Sequence, residues 1–142
     1  MAIWHKPYTL TEARQRVSGT MVDHIGITIT EVGQNFLAGT MPVDRRTVQP
    51  MGILHGGASV ALAETLGSLA ASMVVDNEKN YCVGLDINAN HIRAAKNGIV
   101  TGIAKPIHIG SSTQVWSIEI TDEENRLVCI SRLTMAVLSK KI

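Results

Sequence analysis

The architecture of this chain is set by residues 57–75, which read GASVALAETLGSLAASMVV. The segment contains no proline and is rich in alanine, leucine and valine. It therefore predicts one long helix that is apolar on most sides, and a helix of that kind is buried in a core. We expect the rest of the chain to wrap around it.

The sequence on both sides of this helix is mostly extended. A capping-box spacing predicts a short helix over residues 10–18, and period-two alternation around a Gly33-Gln34-Asn35 turn predicts a β-hairpin over residues 26–43. Four extended runs follow the long helix, and their short connections favour antiparallel neighbours. These runs are residues 81–90, 99–109, 113–121 and 127–138. The predicted fold class is α+β, with one helix wrapped by a single antiparallel sheet in one domain, residues 1–142.

Charge and composition exclude several classes of protein. The 142 residues carry 13 Lys+Arg against 12 Asp+Glu, a formal net charge of +1, so we expect no nucleic-acid partner, which needs a basic surplus. Charged residues make up 18%, below the usual ~25% of soluble domains. This shortfall suggests that a partner subunit covers part of the surface.

Location is also constrained by the sequence. Cys82 and Cys129 lie far apart among apolar residues, without metal-binding spacing, which favours buried thiols. The first ten residues lack the apolar core of a secretory signal, and Glu64, glycines and serines interrupt the longest apolar stretch. We therefore expect no membrane association and a cytoplasmic location.

Glu64 is the only formally charged residue between Arg46 and Asp76, and it lies in the middle of the predicted helix. A buried carboxylate costs several kcal/mol unless it is paired or hydrogen-bonded. Glu64, Ser68 and Ser72 follow i, i+4 spacing and share one helical face.

Small residues border this polar face, and we interpret the face as the floor of a cleft. They are Gly57, Ala61, Gly67 and Ala71. Two roles remain open for Glu64: a functional carboxylate in that cleft, or a structural one that caps backbone or pairs with an arginine.

The segment from Gln49 to Gly57 leads into the helix N-terminus, where free backbone N–H groups and the positive end of the dipole gather. Gly56 and Gly57 allow a ligand close to the backbone, and a carbonyl oxygen there gains oxyanion-hole stabilisation. His55 either hydrogen-bonds a ligand or orients the loop; a plain N-cap with a satisfied loop histidine is the alternative. With Glu64 two turns further along, this combination fits acyl transfer to water.

Other hydrolytic chemistries lack their motifs. The sequence has no HExxH zinc motif, no GxSxG nucleophile elbow and no GxxxxGK[ST] phosphate loop. We therefore expect no metal and no cofactor.

Several motifs along the chain carry a family resemblance. They are Thr40–Asp44, Arg46-Thr47, Gln49-Pro50, Leu54–Ser59, Ala63-Glu64, Gly67-Ser68, Val83–His91, Lys105-Pro106, Gly110-Ser111, Gln114–Trp116 and Ser131–Thr134. Together they resemble the hotdog-fold acyl-CoA thioesterases, most closely the bacterial 1,4-dihydroxy-2-naphthoyl-CoA hydrolases of menaquinone synthesis. The resemblance implies a hotdog fold whose subunits pair sheet edge to sheet edge. It also implies active sites at the dimer interface and, usually, tetramers made of two dimers.

The resemblance also implies roles for individual residues. Glu64 is the nucleophile or general base, and the Gly56 N–H binds the thioester oxygen. Gln49 and His55 of one subunit face Glu64 and Ser68 of the other, with Ser68 helping to hold water.

Coenzyme A recognition is implied for two later segments. Gly84 lies near the thioester arm, and two groups of residues form opposite walls of the binding site. These groups are His91, Ile92, Arg93 and Ala94, and His108, Ile109, Gly110, Ser111, Ser112 and Thr113. Taken from the residues alone, Arg93 and Lys96 either meet phosphates or form a solvated surface turn. Ala94 offers no polar side chain, which weakens the expected nucleotide contact.

The expected function is hydrolysis of an acyl-CoA thioester, with the aromatic substrate 1,4-dihydroxy-2-naphthoyl-CoA as the first hypothesis. The second is a broad-range acyl-CoA or acyl-carrier-protein thioesterase with a housekeeping or proofreading role. A third, less favoured because Glu64 is intact beside Gln49 and His55, is a non-catalytic acyl-CoA sensor. Whether the homo-oligomer is a dimer or a tetramer stays open.

Overall fold

A computed structural model describes residues 1–141. The helices are α1 (Leu10–Gln15), α2 (Met21–His24) and α3 (Gly56–Val74). The strands are β1 (Thr28–Val32), β2 (Leu37–Pro42), β3 (Asn80–His91), β4 (Ile99–Ile109), β5 (Thr113–Thr121) and β6 (Leu127–Ser139). This confirms the predicted single antiparallel sheet wrapped around one long helix.

The six strands form one sheet in the order β1-β2-β4-β5-β6-β3, and every neighbouring pair is antiparallel. The order places β3 at one edge and β1 at the other. α3 packs on one face of the sheet, where it contacts β2, β3, β4, β5 and β6.

Leu66 of α3 is fully buried between two strands, and two glycines make room for it. A Cβ atom on Gly39 of β2 would lie 2.9 Å from the Leu66 side chain, and one on Gly102 of β4 would lie 2.7 Å from it. Both distances are shorter than real Cβ contacts, so these glycines let the helix approach the sheet closely.

The small residues on α3 have a different role from the predicted one. Gly67 and Ala71 are buried, and a Cβ on Gly67 would lie 2.5 Å from the Leu133 side chain of β6. They face the sheet and permit close helix packing, so the expectation that they leave room for a cleft was wrong for this pair.

The predicted element boundaries hold to within one residue for α3 and for β3 to β6. The predicted helix over residues 10–18 ends earlier, because after Gln15 the bonds become turn-like, from Val17 N–H to Arg14 C=O and from Ser18 N–H to Gln15 C=O. The four-residue helix α2 was not predicted.

α3 is long and apolar enough to cross a membrane by length and hydropathy alone, with a mean hydropathy of 1.3. Half of its most apolar window is buried inside the fold. The core helix of a soluble protein has the same two properties, and α3 lies against the sheet as such a helix does.

Candidate active site

The N-terminus of α3 presents one free backbone donor. His55 is the N-cap residue, and its Nδ1 accepts a hydrogen bond from the Gly57 N–H at 2.8 Å. The next N–H groups, of Ala58 and Ser59, donate to the His55 carbonyl. Within residues 1–141 the Gly56 N–H has no acceptor, so it is available to a ligand at the positive end of the helix.

The loop before α3 is held by its own backbone. The Gln49 N–H donates to the Ile53 carbonyl at 2.9 Å, and the His55 N–H donates to the Thr47 carbonyl at 2.8 Å. The Gln49 side-chain oxygen accepts from the Met51 N–H, so the side-chain amide nitrogen is the Gln49 group left to face a ligand.

Asp44 closes the start of this loop. Its carboxylate accepts hydrogen bonds from the Arg46 backbone N–H at 2.9 Å and from the Arg46 guanidinium at 2.7 Å. These bonds to Arg46 lower the pKa of Asp44 to about 2. The carboxylate therefore stays ionised, and its hydrogen bonds with Arg46 persist, across the physiological pH range.

A cleft of about 320 Å³ opens beside the Gly56 N–H. It is lined by Gln49, Ile53, Leu54, Gly56, Ser59, His91, Ile92, Arg93, Ala94 and Val128. Two predicted catalytic residues, Gln49 and Gly56, thus line the same cleft as the predicted coenzyme A residues 91–94. The His91 ring lies against Gly56, because a Cβ on Gly56 would be 2.8 Å from His91 Nε2.

Glu64 lies outside this cleft and contacts strand β3. Its Oε1 is 2.6 Å from the position of a Cβ on Gly84, and within residues 1–141 its carboxylate has no hydrogen-bond or ion-pair partner. The structural alternative, in which this carboxylate caps backbone or pairs with an arginine, is not what the structure contains. Ser68, one turn further, donates to the Met135 sulfur at 3.7 Å, which is a weak acceptor.

Gly56 and Glu64 of one chain are too far apart to act on one carbonyl group. Eight residues of helix separate them by about 12 Å along the axis, whereas each group must lie within about 3–3.5 Å of the carbonyl group on which it acts. Within one chain these two groups therefore do not act together on one substrate.

The predicted coenzyme A residues 108–113 lie at the end of the sheet opposite to residues 91–94. In the register, Thr113 pairs with Ala136, which pairs with Val83, eight residues before His91. Eight strand residues span about 26 Å. The two segments of one chain therefore do not face each other across a single binding site.

Cations lie at the mouth of the cleft. A neighbouring depression of about 390 Å³ is lined by Arg93, Lys96 and Arg126 and by the carboxylates of Asp122, Glu123 and Glu124. Arg126 is paired with Asp122 at 2.8 Å and Glu124 at 3.2 Å, whereas Arg93 and Lys96 have no ion pair within residues 1–141. These two side chains are free to meet phosphate groups.

Neither thiol is suited to nucleophilic attack. Burial raises the pKa of both Cys82 and Cys129, so both stay protonated near neutral pH. Across residues 1–141 no group of three His, Cys, Asp or Glu side chains has the arrangement of a metal site.

Comparisons with known proteins show the family to which the chain belongs. The family model of the Thioesterase superfamily matches residues 51–129, more than half of the chain. The chain belongs to the thioesterase superfamily.

Over almost all of its length, this thioesterase is similar to two proteins whose names describe their function. It is 51% identical over 136 residues to the 1,4-dihydroxy-2-naphthoyl-CoA hydrolase of Escherichia coli, covering 96% of this chain and 99% of that one. It is 48% identical over 136 residues to the proofreading thioesterase EntH of Cronobacter sakazakii, covering 96% and 98%.

A solved thioesterase structure from Haemophilus influenzae superposes with a TM-score of 0.92 at 52% identity, covering 96% of this chain and 95% of that one. The fold is therefore the hotdog fold of such thioesterases, and the activity of the chain is thioester hydrolysis. The predicted family, fold class and enzyme class are confirmed.

Sequence reasoning assigned no role to Ser59, which lines the cleft one turn after Gly56. The sequence contained a signal for Ser59, because residues three apart on a helix share a face. A serine three positions after Gly56 therefore faces the same cleft as Gly56.

Proposed function

We propose that this thioesterase hydrolyses aromatic acyl-CoA thioesters, with 1,4-dihydroxy-2-naphthoyl-CoA of menaquinone biosynthesis as the principal substrate. The observation that carries the proposal is the free Gly56 N–H in a cleft with Arg93 at its mouth, together with an unpaired Glu64 carboxylate elsewhere on the same helix. The similarity to the Escherichia coli hydrolase supports this substrate.

The chemistry follows from these groups. The thioester oxygen accepts a hydrogen bond from the Gly56 N–H, which stabilises the negative charge that develops on it. Glu64 either attacks the carbonyl carbon directly or removes a proton from an attacking water. The C–S bond then breaks, and the thiolate of coenzyme A takes up a proton. When water is the attacking group, the free acid forms in this step; when Glu64 attacks, a water molecule next hydrolyses the anhydride between the acyl group and Glu64, which releases the free acid and restores the carboxylate. Gln49 orients the carbonyl group, and Ser68 holds the water.

The complete site belongs to two chains in this proposal. β3 is an edge strand that pairs only with β6 within residues 1–141, and its exposed side chains include Tyr81, Val83 and Leu85. A long unpaired edge of this kind is a template for strand pairing. Antiparallel pairing of two β3 strands moves Glu64, beside Gly84 of one copy, toward the His91 end of the other strand, where the partner's Gly56 lies.

The same pairing accounts for the two coenzyme A segments. Residues 108–113 of one copy approach residues 91–94 of the partner, so each binding site takes one wall from each chain. His55 caps α3 through its Nδ1, which accepts from the Gly57 N–H, so the ring proton lies on Nε2 and can be donated to the substrate. We propose a single domain, residues 1–142, in a soluble cytoplasmic homo-oligomer that needs no cofactor.

A second candidate substrate class has its own support. The similarity to the proofreading thioesterase EntH favours a proofreading role, for which we propose thioesters of an acyl-carrier protein as alternative substrates. Both candidates use the same Glu64 and the same Gly56 N–H, so they differ only in the group that carries the acyl chain.

The test is a thiol-release assay with naphthoyl-, benzoyl- and medium-chain CoA thioesters and with aryl thioesters of a carrier protein. We expect the highest kcat/KM for the naphthoyl-CoA ester. In Glu64→Gln we expect kcat to fall by about three orders of magnitude while CoA-ester binding persists. Unchanged turnover in Glu64→Gln overturns the assignment of Glu64, and equal rates on all thioesters overturn the proposed specificity.

A further inference from the structure

The fold buries four polar residues, and one of them has no partner for its side chain. Thr47 donates to the Pro42 carbonyl at 2.7 Å, Gln114 accepts from Trp116 at 2.9 Å, and Ser131 contacts the Cys129 sulfur at 3.7 Å. Ser59 is 2% exposed, and within residues 1–141 its hydroxyl forms no hydrogen bond. A fully buried polar atom without a partner is rare, so the oxygen of an unpartnered hydroxyl is expected to keep contact with solvent or with a ligand.

The Ser59 hydroxyl points into the cleft. Every side-chain nitrogen or oxygen that is fully removed from solvent in residues 1–141 has a hydrogen-bond partner. Because the Ser59 oxygen has none, it is the part of this residue that remains accessible, and the surface it reaches is the cleft that Ser59 lines.

Ser59 and Gly56 face the same point of that cleft. They are three residues apart on α3, and a helical side chain leans over the turn on its N-terminal side. Gly56 has no side chain to cover the hydroxyl, and the His91 ring closes the space on the other side, 2.8 Å from a Cβ on Gly56. Ser59 and Gly56 therefore line the same part of the cleft.

We propose that Ser59 is a substrate-binding residue whose hydroxyl hydrogen-bonds the first amide group of the thioester arm of the substrate. This inference rests on the proposed function, because it takes the Gly56 N–H as the donor to the thioester oxygen. In an acyl-CoA the first amide nitrogen follows the sulfur after two methylene groups, so it lies a few ångströms from the bound carbonyl. Ser59 lies about 4.5 Å along the helix axis from Gly56, which suits that spacing.

The walls of the cleft fit such an arm. Ile53, Leu54 and Val128 supply apolar contacts for methylene groups, and Ser59 supplies a group that both donates and accepts for an amide. A thioester arm with alternating apolar and amide segments makes both kinds of contact in this cleft. The arm runs from the exposed Arg93 at the mouth to Gly56 at the inner end.

Three benzoyl thioesters test the proposal with Ser59→Ala: benzoyl-CoA, benzoyl-N-acetylcysteamine, which keeps only the first amide, and S-ethyl thiobenzoate, which has no amide. We expect KM for the first two to rise by roughly three- to tenfold with kcat nearly unchanged. Hydrolysis of S-ethyl thiobenzoate should be unaffected. Ser131→Ala, which removes the hydroxyl of an equally buried serine that does not line the cleft, should leave all three substrates unaffected.

The outcomes separate this inference from the proposed function. If the wild-type protein hydrolyses none of the thioesters, the proposed function fails. If it hydrolyses them and Ser59→Ala changes none of the KM values, or lowers activity on all three substrates equally, only the role of Ser59 is overturned. Thermal unfolding of both serine variants establishes that each is folded before the kinetics are compared.

Discussion

The Oε1 atom of Glu64 lies 2.6 Å from the position that a Cβ atom on Gly84 would occupy. Gly84 does not have a positive φ, so its backbone conformation does not require glycine. The lack of a side chain is what allows the carboxylate to rest against β3. The placement of Glu64 therefore depends on a residue twenty positions further along the chain.

Gly84→Ala should displace the carboxylate and slow the reaction. The added methyl group meets the end of a flexible side chain, so the fold survives and Glu64 moves instead. A shift of about 1 Å at a reacting group costs up to about 100-fold in rate, and we expect kcat to fall at least tenfold. Steady-state kinetics with a thiol-release readout measure the change, and a thermal melt checks the fold.

A double-mutant cycle tests whether this effect acts through Glu64. Glu64→Gln combined with Gly84→Ala should be no slower than Glu64→Gln alone, because the displaced group is already inactive. If the two losses multiply, Gly84 acts through something other than the carboxylate, and the proposed coupling is wrong.

Subunit complementation should restore activity to a mixture of two inactive variants. Glu64→Gln removes the carboxylate, and Gly56→Ala forces a methyl group against His91 at the donor end. Each site takes Glu64 from one chain and Gly56 from the other, so in a mixed dimer one site contains both substitutions and the other site contains neither. After co-refolding in equal amounts we expect about a quarter of wild-type activity.

The control for this experiment is each variant refolded alone, which should stay inactive. Activity that does not recover in the mixture contradicts a site shared between two chains, provided that mixed dimers are detected by native mass spectrometry.

Acid should remove the contribution of Asp44 to stability. Its pKa is about 2 in the folded chain against an ordinary value of 3.8, because of its hydrogen bonds with Arg46. A lowered pKa stabilises the folded state above pH 3.8, and this contribution is lost as the pH falls toward 2. The difference in unfolding free energy between the wild type and Asp44→Asn, measured in urea, should therefore shrink between pH 4 and pH 2. A difference that stays constant over this range contradicts the assigned pKa.

Leu66→Ala should destabilise the fold by about 2–5 kcal/mol, because it leaves a cavity between α3 and the sheet. Gly102→Ala should also destabilise the chain, since its Cβ would lie 2.7 Å from the Leu66 side chain. The two changes should compensate each other in part, so that the double variant is more stable than the sum of the losses predicts. Denaturant unfolding of the three variants measures this coupling.

Much of the fold was predictable because its signals are local. The apolar segment that became α3 and the turn-separated runs that became β3 to β6 each carry their own periodicity, and their boundaries hold to within one residue. The N-cap at His55 and the free N–H donor at Gly56 were predictable for the same reason, because a few consecutive residues determine where a helix begins.

The remainder depends on contacts between distant segments. The contact between Gly67 and Leu133 means that this small residue permits close helix packing and does not open a cleft. The contact between Gly84 and Glu64 means that a second glycine makes room for the carboxylate. The spacing places Ser59 on the same face of α3 as Gly56, but which face of α3 lines the cleft depends on how the helix lies on the sheet. Spacing along one helix does not encode that orientation.

The position of α3 in the chain also has a consequence for biosynthesis. On the ribosome, α3 emerges after β1 and β2 but before β3 to β6, the four strands that supply most of its cover. A nascent chain of this thioesterase therefore exposes a segment apolar enough to enter a membrane until these four strands have been made. Because β6 lies between β5 and β3 in the sheet, the cover of α3 is complete only once β6 has joined it.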